Sequence, residues 1–334
     1  MAMISVVIPV YNGEKTIRET IESVLKQSLS DFELIVINDG STDSTLDIVS
    51  SIKDSRIKIF SYPNAGLATS QNRGIANASG EFISFIDADD LWTPDKLELQ
   101  LKALQENPLA AVAYSWTDLI DESSQFIRPS SHITVNGDVY ARLLLINFLE
   151  NGSNPLIRKE ALIKVGGFDE SLLRAADWDM WLRLAASYHF VTVPSAQILY
   201  RLSANSMSEN VHKQAGYRIK VLQKAFANAP ESLQYLRQCS FSNMYKYLMF
   251  KCFEGSLRKE KAVTAAKLLW LAIKNEPSWL RSRVIWKVLL KIIIVMLLPA
   301  QQAQALFTKF SQVFNTHTLL GYIQYEVPSI KSSK

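Results

Sequence analysis

The first third of the chain alternates short runs of β-branched and aromatic residues with longer stretches whose apolar positions recur at helical spacing. The runs that predict strands are 4–10, 33–37, 57–60 and 81–86, and the stretches that predict helices are 14–27, 43–52 and 67–76. Near-continuous apolar strands separated by helices are typical of a mainly parallel sheet covered on both faces. The pattern therefore predicts an α/β fold, in which ligands bind beyond the carboxyl ends of the strands.

The pattern becomes irregular between 110 and 205 and helical after 212. The irregular part predicts a strand near 111–114, a helix around 138–148, a helix at 177–184 and two short strands near Val191 and Ile198. In the helical part, Pro230, Pro277 and Pro299 separate the helices. We therefore expect a catalytic domain at 1–210 and a helical C-terminal region at 211–334.

Charge is distributed unevenly along the chain, although the net charge is only +4. Residues 1–212 carry 17 basic and 27 acidic side chains, whereas 213–334 carry 19 basic and 5 acidic ones. The acidic part argues against a nucleic-acid groove, and the basic part is compatible with an anionic surface. Cys239 and Cys252 form no disulfide framework, and no secretion signal precedes the first strand, so we expect a cytoplasmic protein.

Polar side chains follow the first two predicted strands, where neither a GxGxxG turn nor a GxxxxGK[ST] phosphate loop occurs. Asp39 follows the second strand and can accept hydrogen bonds from a uracil ring or from ribose hydroxyls, although an isolated Asp-Gly is more often a turn. Tyr11 follows the first strand and can stack on a base or lie at the rim of the core. A nucleotide site at this edge of the sheet is one interpretation of both residues.

Two aspartates leave the fourth predicted strand at positions where extended geometry points both to the same side, Asp87 and Asp89. A small set of hard oxygen ligands suits Mg²⁺ or Mn²⁺, which share their remaining positions with substrate phosphates. The alternative is that Asp89 or Asp90 caps a helix entered through 93–94. The first interpretation predicts a metal that binds a diphosphate.

Seven segments together resemble the successive motifs of family 2 glycosyltransferases, over about residues 1–205. They are VVIPVYN at 6–12, INDGSTD at 37–43, NAG at 64–66, NRG at 72–74, FIDADD at 85–90, VGGFD at 165–169 and DWD at 177–179. The resemblance implies the GT-A fold and inverting transfer of a sugar from a nucleotide-diphosphate donor to a sugar or lipid-linked acceptor. It also implies Mg²⁺ or Mn²⁺ held by Asp89 with Asp87. The donor would contact Pro9, Tyr11, Glu14, Asp39, Asn72, Asp87 and Ala88.

The resemblance further implies that Asp177 is the general base, because inverting attack needs a carboxylate beside the acceptor hydroxyl. The alternative for Asp177 is the N-cap of a helix at 178–186. Asp179 is a second candidate base, and Trp178 can stack on an acceptor sugar, although a Trp at that place is more often in the core.

Three positions depart from the family pattern. Ala176 stands where the family often has Glu, Gln71 stands where an Arg is common, and 202–205 lacks the His that many members carry after Tyr200 and Arg201. These departures keep a non-catalytic sugar-nucleotide-binding protein as an alternative. A nucleotidyltransferase is a further alternative, but it would show a Gly-rich basic loop after the first strand.

The segment 284–298 is strongly apolar but shorter than the ~20 residues that a membrane-spanning helix needs. Arg283, Lys287 and Lys291 recur every four residues, which predicts one shared basic face. We therefore expect an amphipathic helix lying on a membrane surface, such as the inner face of the plasma membrane. The alternatives are a helix packed on the catalytic domain and a distorted span that extends toward Phe307.

Overall fold

The structure is a computed structural model that describes residues 2–203, 211–254 and 257–328. The chain forms two compact units, one of Met1–Tyr140 and Asn147–Ser203 and one of Ala141–Ile146 and Ala204–Lys334. The expected division after residue 210 lies at the end of a segment, 204–210, that is outside the described residues. It therefore stays a prediction.

The described part of the first unit contains one mixed nine-stranded sheet in the order β3-β2-β1-β4-β8-β6-β9-β5, with β7 beside β6. Its strands are β1 (Ile4–Val10), β2 (Phe32–Asn38), β3 (Ile57–Ser61), β4 (Phe82–Phe85), β5 (Leu91–Trp92), β6 (Ala110–Ile120), β7 (Phe126–Pro129), β8 (Leu156–Arg158) and β9 (His189–Arg201). The first four strands are parallel, and β8 runs antiparallel to both β4 and β6. The antiparallel β8 therefore joins the parallel half to the second half of the sheet.

Helices lie between the strands of this unit. They are α1 (Ile17–Leu25), α2 (Thr45–Ser51), α3 (Leu67–Asn77), α4 (Lys96–Glu106), α6 (Lys159–Lys164) and α7 (Ala176–Ala185), while α5 (Tyr140–Leu145) falls almost wholly in the second unit. Every residue of β1 and β2 is buried, and α1 and α4 contribute their apolar faces to the same core. Helix α3 lies very close to the sheet, because a Cβ on Gly74 would be 2.2 Å from a methyl group of Val7.

The predicted α/β fold is confirmed, and the first four strands lie where the sequence places them. The expectation of two short strands near Val191 and Ile198 is wrong, because β9 is one continuous strand of 13 residues. It pairs in parallel with β6 and passes register shifts opposite Ser115 to Thr117. Pairing with a long neighbour therefore carries the strand through Pro194, where the local pattern predicts a break.

The second unit is helical in its described residues. Its helices are α8 (Val211–Asn228), α9 (Arg237–Cys252), α10 (Lys259–Asn275), α11 (Arg283–Leu297), α12 (Ala300–Lys309) and α13 (Ser311–Phe314), with 3₁₀ turns at Glu231–Leu236, Pro277–Arg281 and Thr316–Tyr322. The three prolines separate helical segments as expected. Ser282 accepts a hydrogen bond from the Val284 backbone amide and so caps α11.

The expectation that Arg283, Lys287 and Lys291 share one exposed basic face is wrong for Lys291. This lysine is buried, donates hydrogen bonds to the Phe314 carbonyl oxygen and the Thr316 hydroxyl, and lies over the ring of Phe253. Its place on α11 faces the interior of the second unit. The alternative of a distorted span toward Phe307 is also wrong, because α11 ends at Leu297 and a separate helix follows. No helix in the described ranges is long and apolar enough to cross a bilayer.

Candidate active site

The carboxyl ends of β2, β1 and β4 lie side by side at one edge of the sheet. The Asp39 backbone amide donates to the Val10 carbonyl oxygen at 2.8 Å, and the Ile86 amide donates to the Val7 carbonyl oxygen at 3.1 Å. The loops that follow these strands are therefore neighbours. They carry Tyr11 to Glu14, Asp39 to Asp43 and Asp87 to Asp90, which the sequence analysis singled out.

Asp39 is buried at the start of the loop after β2 and already has three donors. Its carboxylate accepts hydrogen bonds from the Ala65 and Gly66 backbone amides at 3.0 and 2.9 Å. The Arg73 guanidinium pairs with it at 3.0 Å. The side chain therefore fixes the loop that leads into α3. Its predicted contact with the nucleoside remains a prediction.

The loops after β1 and β2 are joined by hydrogen bonds from backbone amides of the second loop to side chains of the first. The Asn12 side-chain oxygen accepts from the Thr42 amide at 2.8 Å, and Glu14 accepts from the Ser44 amide at 3.1 Å. Tyr11 is 54% exposed beside them, so its ring is open to a ligand. Pro9 instead lies buried within β1. Of the residues predicted to line the nucleoside on this side, Tyr11 and Glu14 are exposed and Pro9 is not.

Asp87 and Asp89 follow β4 and are both partly buried. Burial, first, and the negative charges of Asp89 and Asp177, second, together raise the pKa of Asp87 to about 7. Burial also raises the pKa of Asp89, against the opposing charge of Arg201. The protein thus gathers negative charge at one point, an arrangement that a bound cation stabilises.

The alternative in which Asp89 or Asp90 caps the next helix is wrong. Helix α4 begins only at Lys96, after the short strand β5. Asp90 is fully buried and accepts hydrogen bonds from the Ser153 hydroxyl and from the Arg201 backbone amide, the latter at 3.0 Å. Asp90 therefore anchors the loop that carries the other two aspartates.

Ser153 and Arg201 contact residues 87–90, which we call the aspartate loop, and the sequence analysis identified neither of them as a site residue. The Ser153 oxygen also accepts from the Asp87 amide at 3.0 Å. The Arg201 Nε donates to the Asp89 carbonyl oxygen at 2.7 Å, and its Nη2 pairs with Glu19 at 2.8 Å. The segment 202–205, where the family often has a His, extends beyond Ser203 into the residues that are not described. Ser153 and Arg201 hold the backbone of the aspartate loop from opposite ends.

Asp177 lies in the first turn of α7, second in the helix after Ala176. The N-cap position belongs to Ala175, whose φ of 57° is in the left-handed region. The alternative role of Asp177 as an N-cap is therefore wrong. Its charge acts on Asp87, so it lies at the same edge of the sheet as the aspartate loop.

The two residues that follow Asp177 are both buried. Asp179 pairs with the Arg183 Nε at 2.8 Å, and the Arg183 Nη1 donates to the Val165 carbonyl oxygen at 2.6 Å. The burial of Trp178 favours the core role that the sequence analysis kept as an alternative. Their predicted contacts with the acceptor stay predictions, and Asp177 is the more exposed carboxylate of the two.

Asn72 connects α3 to the turn that precedes α7. Its side-chain oxygen accepts from the Phe168 amide at 2.8 Å, and its Nδ2 donates to the Phe168 carbonyl oxygen at 3.0 Å and to Glu170 at 2.8 Å. The Phe168 ring contacts the rings of Phe85 and Trp181 with centroids 5.1 and 6.4 Å away. This packing connects the end of β4 to α7. These hydrogen bonds do not test the predicted contact of Asn72 with the nucleotide-sugar donor, which stays a prediction.

Gln71, which replaces the common Arg, is buried beside the aspartate loop. A Cβ built on Gly152 would be 3.8 Å from the Gln71 Nε2 and 4.0 Å from both carboxylate oxygens of Asp87. In the described part of the chain, the Gln71 Oε1 has no hydrogen-bond partner. Gln71 is therefore a neutral neighbour of the aspartates and supplies no cation there.

The residues present fit an Mg²⁺ or Mn²⁺ ion whose remaining ligands come from a substrate. Among the described residues, no group of three or more His, Cys, Asp and Glu side chains could hold a metal ion. Asp87 and Asp89 supply two hard oxygen donors whose mutual repulsion a cation relieves. A metal held by two carboxylates needs further ligands, and the oxygens of a diphosphate are of the right kind.

The family model described as glycosyltransferase like family 2 matches residues 5–252, which is most of the chain. The chain belongs to this family. The resemblance stated from the sequence motifs is thereby confirmed.

Relatives of this family 2 member include a glucosyltransferase of Escherichia coli, UDP-Glc:alpha-D-GlcNAc-diphosphoundecaprenol beta-1,3-glucosyltransferase WfgD. It is 31% identical over 240 residues, covering 70% of this chain and 90% of that protein. An uncharacterized glycosyltransferase of Rickettsia typhi, RT0329, is 36% identical over 202 residues, covering 58% of this chain and 63% of that protein. Across the curated Rickettsia relatives, the chain spans 28% to 63% of their length.

The fold of this family 2 member is also that of a solved structure, the mannosyltransferase PcManGT from Pyrobaculum calidifontis in complex with GDP-Man and Mn²⁺. The TM-score is 0.60 at 17% identity, covering 96% of this chain and 87% of that one. The likeness confirms the predicted GT-A fold, including a helical C-terminal region.

Proposed function

We propose that this family 2 glycosyltransferase moves a sugar from a nucleotide-diphosphate donor to an acceptor hydroxyl, with inversion at the anomeric carbon. The observation that carries the proposal is the convergence of Asp87, Asp89 and Asp177 at the carboxyl edge of the sheet, where burial and the charges of Asp89 and Asp177 together raise the pKa of Asp87 to about 7. The catalytic domain is 1–210, and 211–334 is the helical region that accompanies it.

The donor diphosphate lies against the aspartate loop in this proposal. Asp89 and Asp87 would hold Mg²⁺ or Mn²⁺, and the ion would supply positive charge against the leaving diphosphate. Tyr11 stacks on the base, and Asp39 and Glu14 accept hydrogen bonds from the nucleoside. The remaining donor contacts are Pro9, Asn72 and Ala88. Ser153 and Arg201 keep the loop in place, since they hold the backbone of Asp87 and Asp89 and the side chain of Asp90.

Asp177 is the general base. Its carboxylate accepts the proton of the acceptor hydroxyl as that oxygen attacks the anomeric carbon from the face opposite the diphosphate. Asp179 is the less suitable base, because Arg183 already pairs with its buried carboxylate. Trp178 and Asp179 support the acceptor side of the site.

The acceptor is a sugar carried on a lipid diphosphate or a growing polysaccharide. The proposal draws on the printed name of WfgD, which includes a diphosphoundecaprenol acceptor, and on that of a 30% identical relative, the chondroitin synthase of Pasteurella multocida. A lipid-linked acceptor places the protein at the inner face of the plasma membrane, in contact with it through the helical C-terminal region.

The test is a donor screen by thermal unfolding, with each nucleotide sugar offered with Mn²⁺ and with EDTA. A ligand that binds only the folded state raises the melting temperature. We expect one donor to raise the melting temperature of the wild type and of Asp177→Asn, and to do so only when Mn²⁺ is present. The same donor should not raise the melting temperature of Asp89→Ala. The control is Asp47→Asn, which changes an exposed aspartate of α2.

The same variants separate binding from chemistry. We expect Asp177→Asn to lower turnover by about 10²–10⁴-fold, which is the usual contribution of a general base. A metal-dependent shift in the absence of any turnover by the wild type would instead assign the chain to a non-catalytic sugar-nucleotide-binding protein. Equal turnover of Asp177→Asn and the wild type would remove Asp177 from the mechanism.

A further inference from the structure

Helix α11 has two apolar faces. One is buried in the second unit and consists of Val284, Val288, Ile292 and Val295. The other is exposed and consists of Trp286, Leu290, Ile293 and Leu297, which we call the α11 stripe. The spacing of four, three and four residues keeps all four side chains on one side of the helix. Trp286 and Leu297, at the two ends of the stripe, are 71% and 75% exposed.

The α11 stripe is not needed to attach the helix to the rest of the second unit, because the opposite face does that. Soluble monomeric proteins rarely expose a continuous row of large apolar side chains, and such rows mark interaction surfaces. The row extends over about 16 Å of helix, at 1.5 Å per residue. A partner that covers a long, narrow and apolar surface is therefore required.

The chain segment that carries the stripe has charged side chains of one sign only. No acidic residue occurs between Glu276 and Glu326. Arg281 and Arg283 are exposed near the N-terminal end of α11, and Lys287 follows Trp286 directly. The partner that fits this surface is apolar inside and negatively charged at its border, as a bilayer with anionic headgroups is.

A second copy of the chain fits this surface less well. It would bring the same cationic groups face to face, and four side chains are far fewer than the roughly 20–30 residues per side of a stable interface. A tryptophan at the end of the stripe has the amphipathic ring that is enriched at membrane–water boundaries. The α11 stripe therefore fits a lipid bilayer better than it fits the same surface on a second copy of the chain.

We propose that the α11 stripe lies in the plane of an anionic bilayer and buries its four side chains at the boundary between headgroups and acyl chains, with Arg281 and Arg283 against the lipid phosphates. The contact goes beyond the sequence expectation, which relied on a basic face that includes the buried Lys291. It deepens the proposed function, because a lipid-linked acceptor rests in the same boundary.

The test is sedimentation of the full chain with vesicles of phosphatidylcholine, alone or mixed with phosphatidylglycerol. We expect the wild type to bind the mixed vesicles. The double variant Leu290→Gln/Ile293→Gln should bind them with an affinity at least about tenfold lower, because each substitution removes a large apolar side chain that the bilayer would bury. The matched control is Leu109→Gln/Ile163→Gln, which changes an exposed leucine and an exposed isoleucine of the first unit.

A second measurement does not depend on the double variant. Vesicles with brominated acyl chains should quench the emission of the wild type more than that of Trp286→Phe. Equal quenching of the two proteins, or equal sedimentation of the wild type and Leu290→Gln/Ile293→Gln, would overturn the proposal. A dimer in vesicle-free buffer that the double variant splits would assign the stripe to self-association. Neither experiment uses a sugar donor, so failure here leaves turnover, the test of the proposed function, unaffected.

Discussion

The backbone amide of Asp87 donates a hydrogen bond to the Ser153 hydroxyl oxygen at 3.0 Å, and the same hydroxyl donates its proton to the Asp90 carboxylate. One buried side chain therefore fixes both ends of the loop that contains the two proposed metal ligands. The Trp92 Nε1 donates to the Ser153 carbonyl oxygen at 2.9 Å and holds the serine itself.

Ser153→Ala should lower turnover and weaken the dependence on metal without unfolding the protein. Residues that orient metal ligands typically contribute about 10–100-fold to metal affinity or activity. We expect a fall of that size, together with a higher Mn²⁺ concentration for half-maximal rate. The matched control is Ser70→Ala, because Ser70 is equally buried and, in the described part of the chain, its hydroxyl has no hydrogen-bond partner. An unchanged Mn²⁺ requirement in Ser153→Ala would contradict the positioning role.

Asp179→Asn should reduce stability rather than abolish chemistry. The buried Asp179 pairs with Arg183, which also holds the Val165 carbonyl oxygen. Removing the negative charge leaves the partly exposed guanidinium without its hydrogen-bonded countercharge, and we expect a loss of about 1–3 kcal/mol in the free energy of unfolding. Urea titrations of Asp179→Asn, Asp177→Asn and the wild type measure this loss in the free energy of unfolding. The prediction fails if Asp177→Asn is the more destabilised of the two.

Gly167→Ala and Gly166→Ala form a matched pair that tests the bond between Asn72 and the turn before α7. Both glycines have positive φ, at +70° and +86°, so an alanine strains the backbone at each by about 1 kcal/mol. Only at Gly167 would the new Cβ lie 2.7 Å from the Asn72 side-chain oxygen. Because Asn72 is held by bonds to Phe168 and Glu170, we expect Gly167→Ala to lose about 1 kcal/mol more than Gly166→Ala. Equal melting temperatures would show that Asn72 moves aside freely.

The parts of the fold that follow from local signals could be predicted from the sequence. Apolar runs ended by turn residues indicate β1 to β4, and the rule for parallel sheets places Asp39, Asp87 and Asp89 at one edge. Ser153 and Arg201 could not be predicted in this way. They reach Asp90 across 63 and 111 residues of sequence, and only the antiparallel β8 and the long β9 bring them there.

The misplacement of Lys291 has a geometric cause. Residues four apart on a helix are offset by about 40°, so Lys291 is about 80° around from Arg283. Spacing alone does not indicate which side of a helix its neighbours cover. In α11 they cover the side of Val288 and Val295, and Lys291 lies at the edge of that side. A basic residue in an apolar helix therefore needs tertiary contacts before its exposure can be assigned.

Glu33→Gln should destabilise the protein at neutral pH and flatten its response to acid. Burial by itself raises the pKa of Glu33, but hydrogen bonds from Lys58, Ser5 and Ser79 outweigh it and lower the pKa from 4.5 to about 2. Because the pKa in the folded state is the lower one, the stabilisation is present above about pH 4.5 and is lost as pH falls toward 2.

We expect the free energy of unfolding of Glu33→Gln to be about 1–3 kcal/mol lower than that of the wild type at neutral pH. This difference between the two proteins should narrow toward about pH 2. Urea midpoints of both proteins across this range measure the gap. Glu106→Gln, which changes an exposed glutamate of α4, is the control. A gap that stays constant with pH would mean that the charge of Glu33 does not carry the effect.

Lys291→Met should stabilise the second unit at neutral pH. Burial lowers the pKa of Lys291 from 10.5 to about 8. Between these values the unfolded chain binds a proton that the folded chain does not, so wild-type stability rises with pH from about 8 to about 10.5. Below pH 8 the buried charge opposes folding, although the bonds to Phe314 and Thr316 and the aromatic rings offset part of the penalty.

We expect Lys291→Met to gain about 1–2 kcal/mol in the free energy of unfolding at neutral pH and to lose that advantage above about pH 10. Denaturant titrations beside the more exposed Lys287→Met measure both effects, and destabilisation of Lys291→Met at neutral pH would show that the hydrogen bonds outweigh the cost of burying the charge.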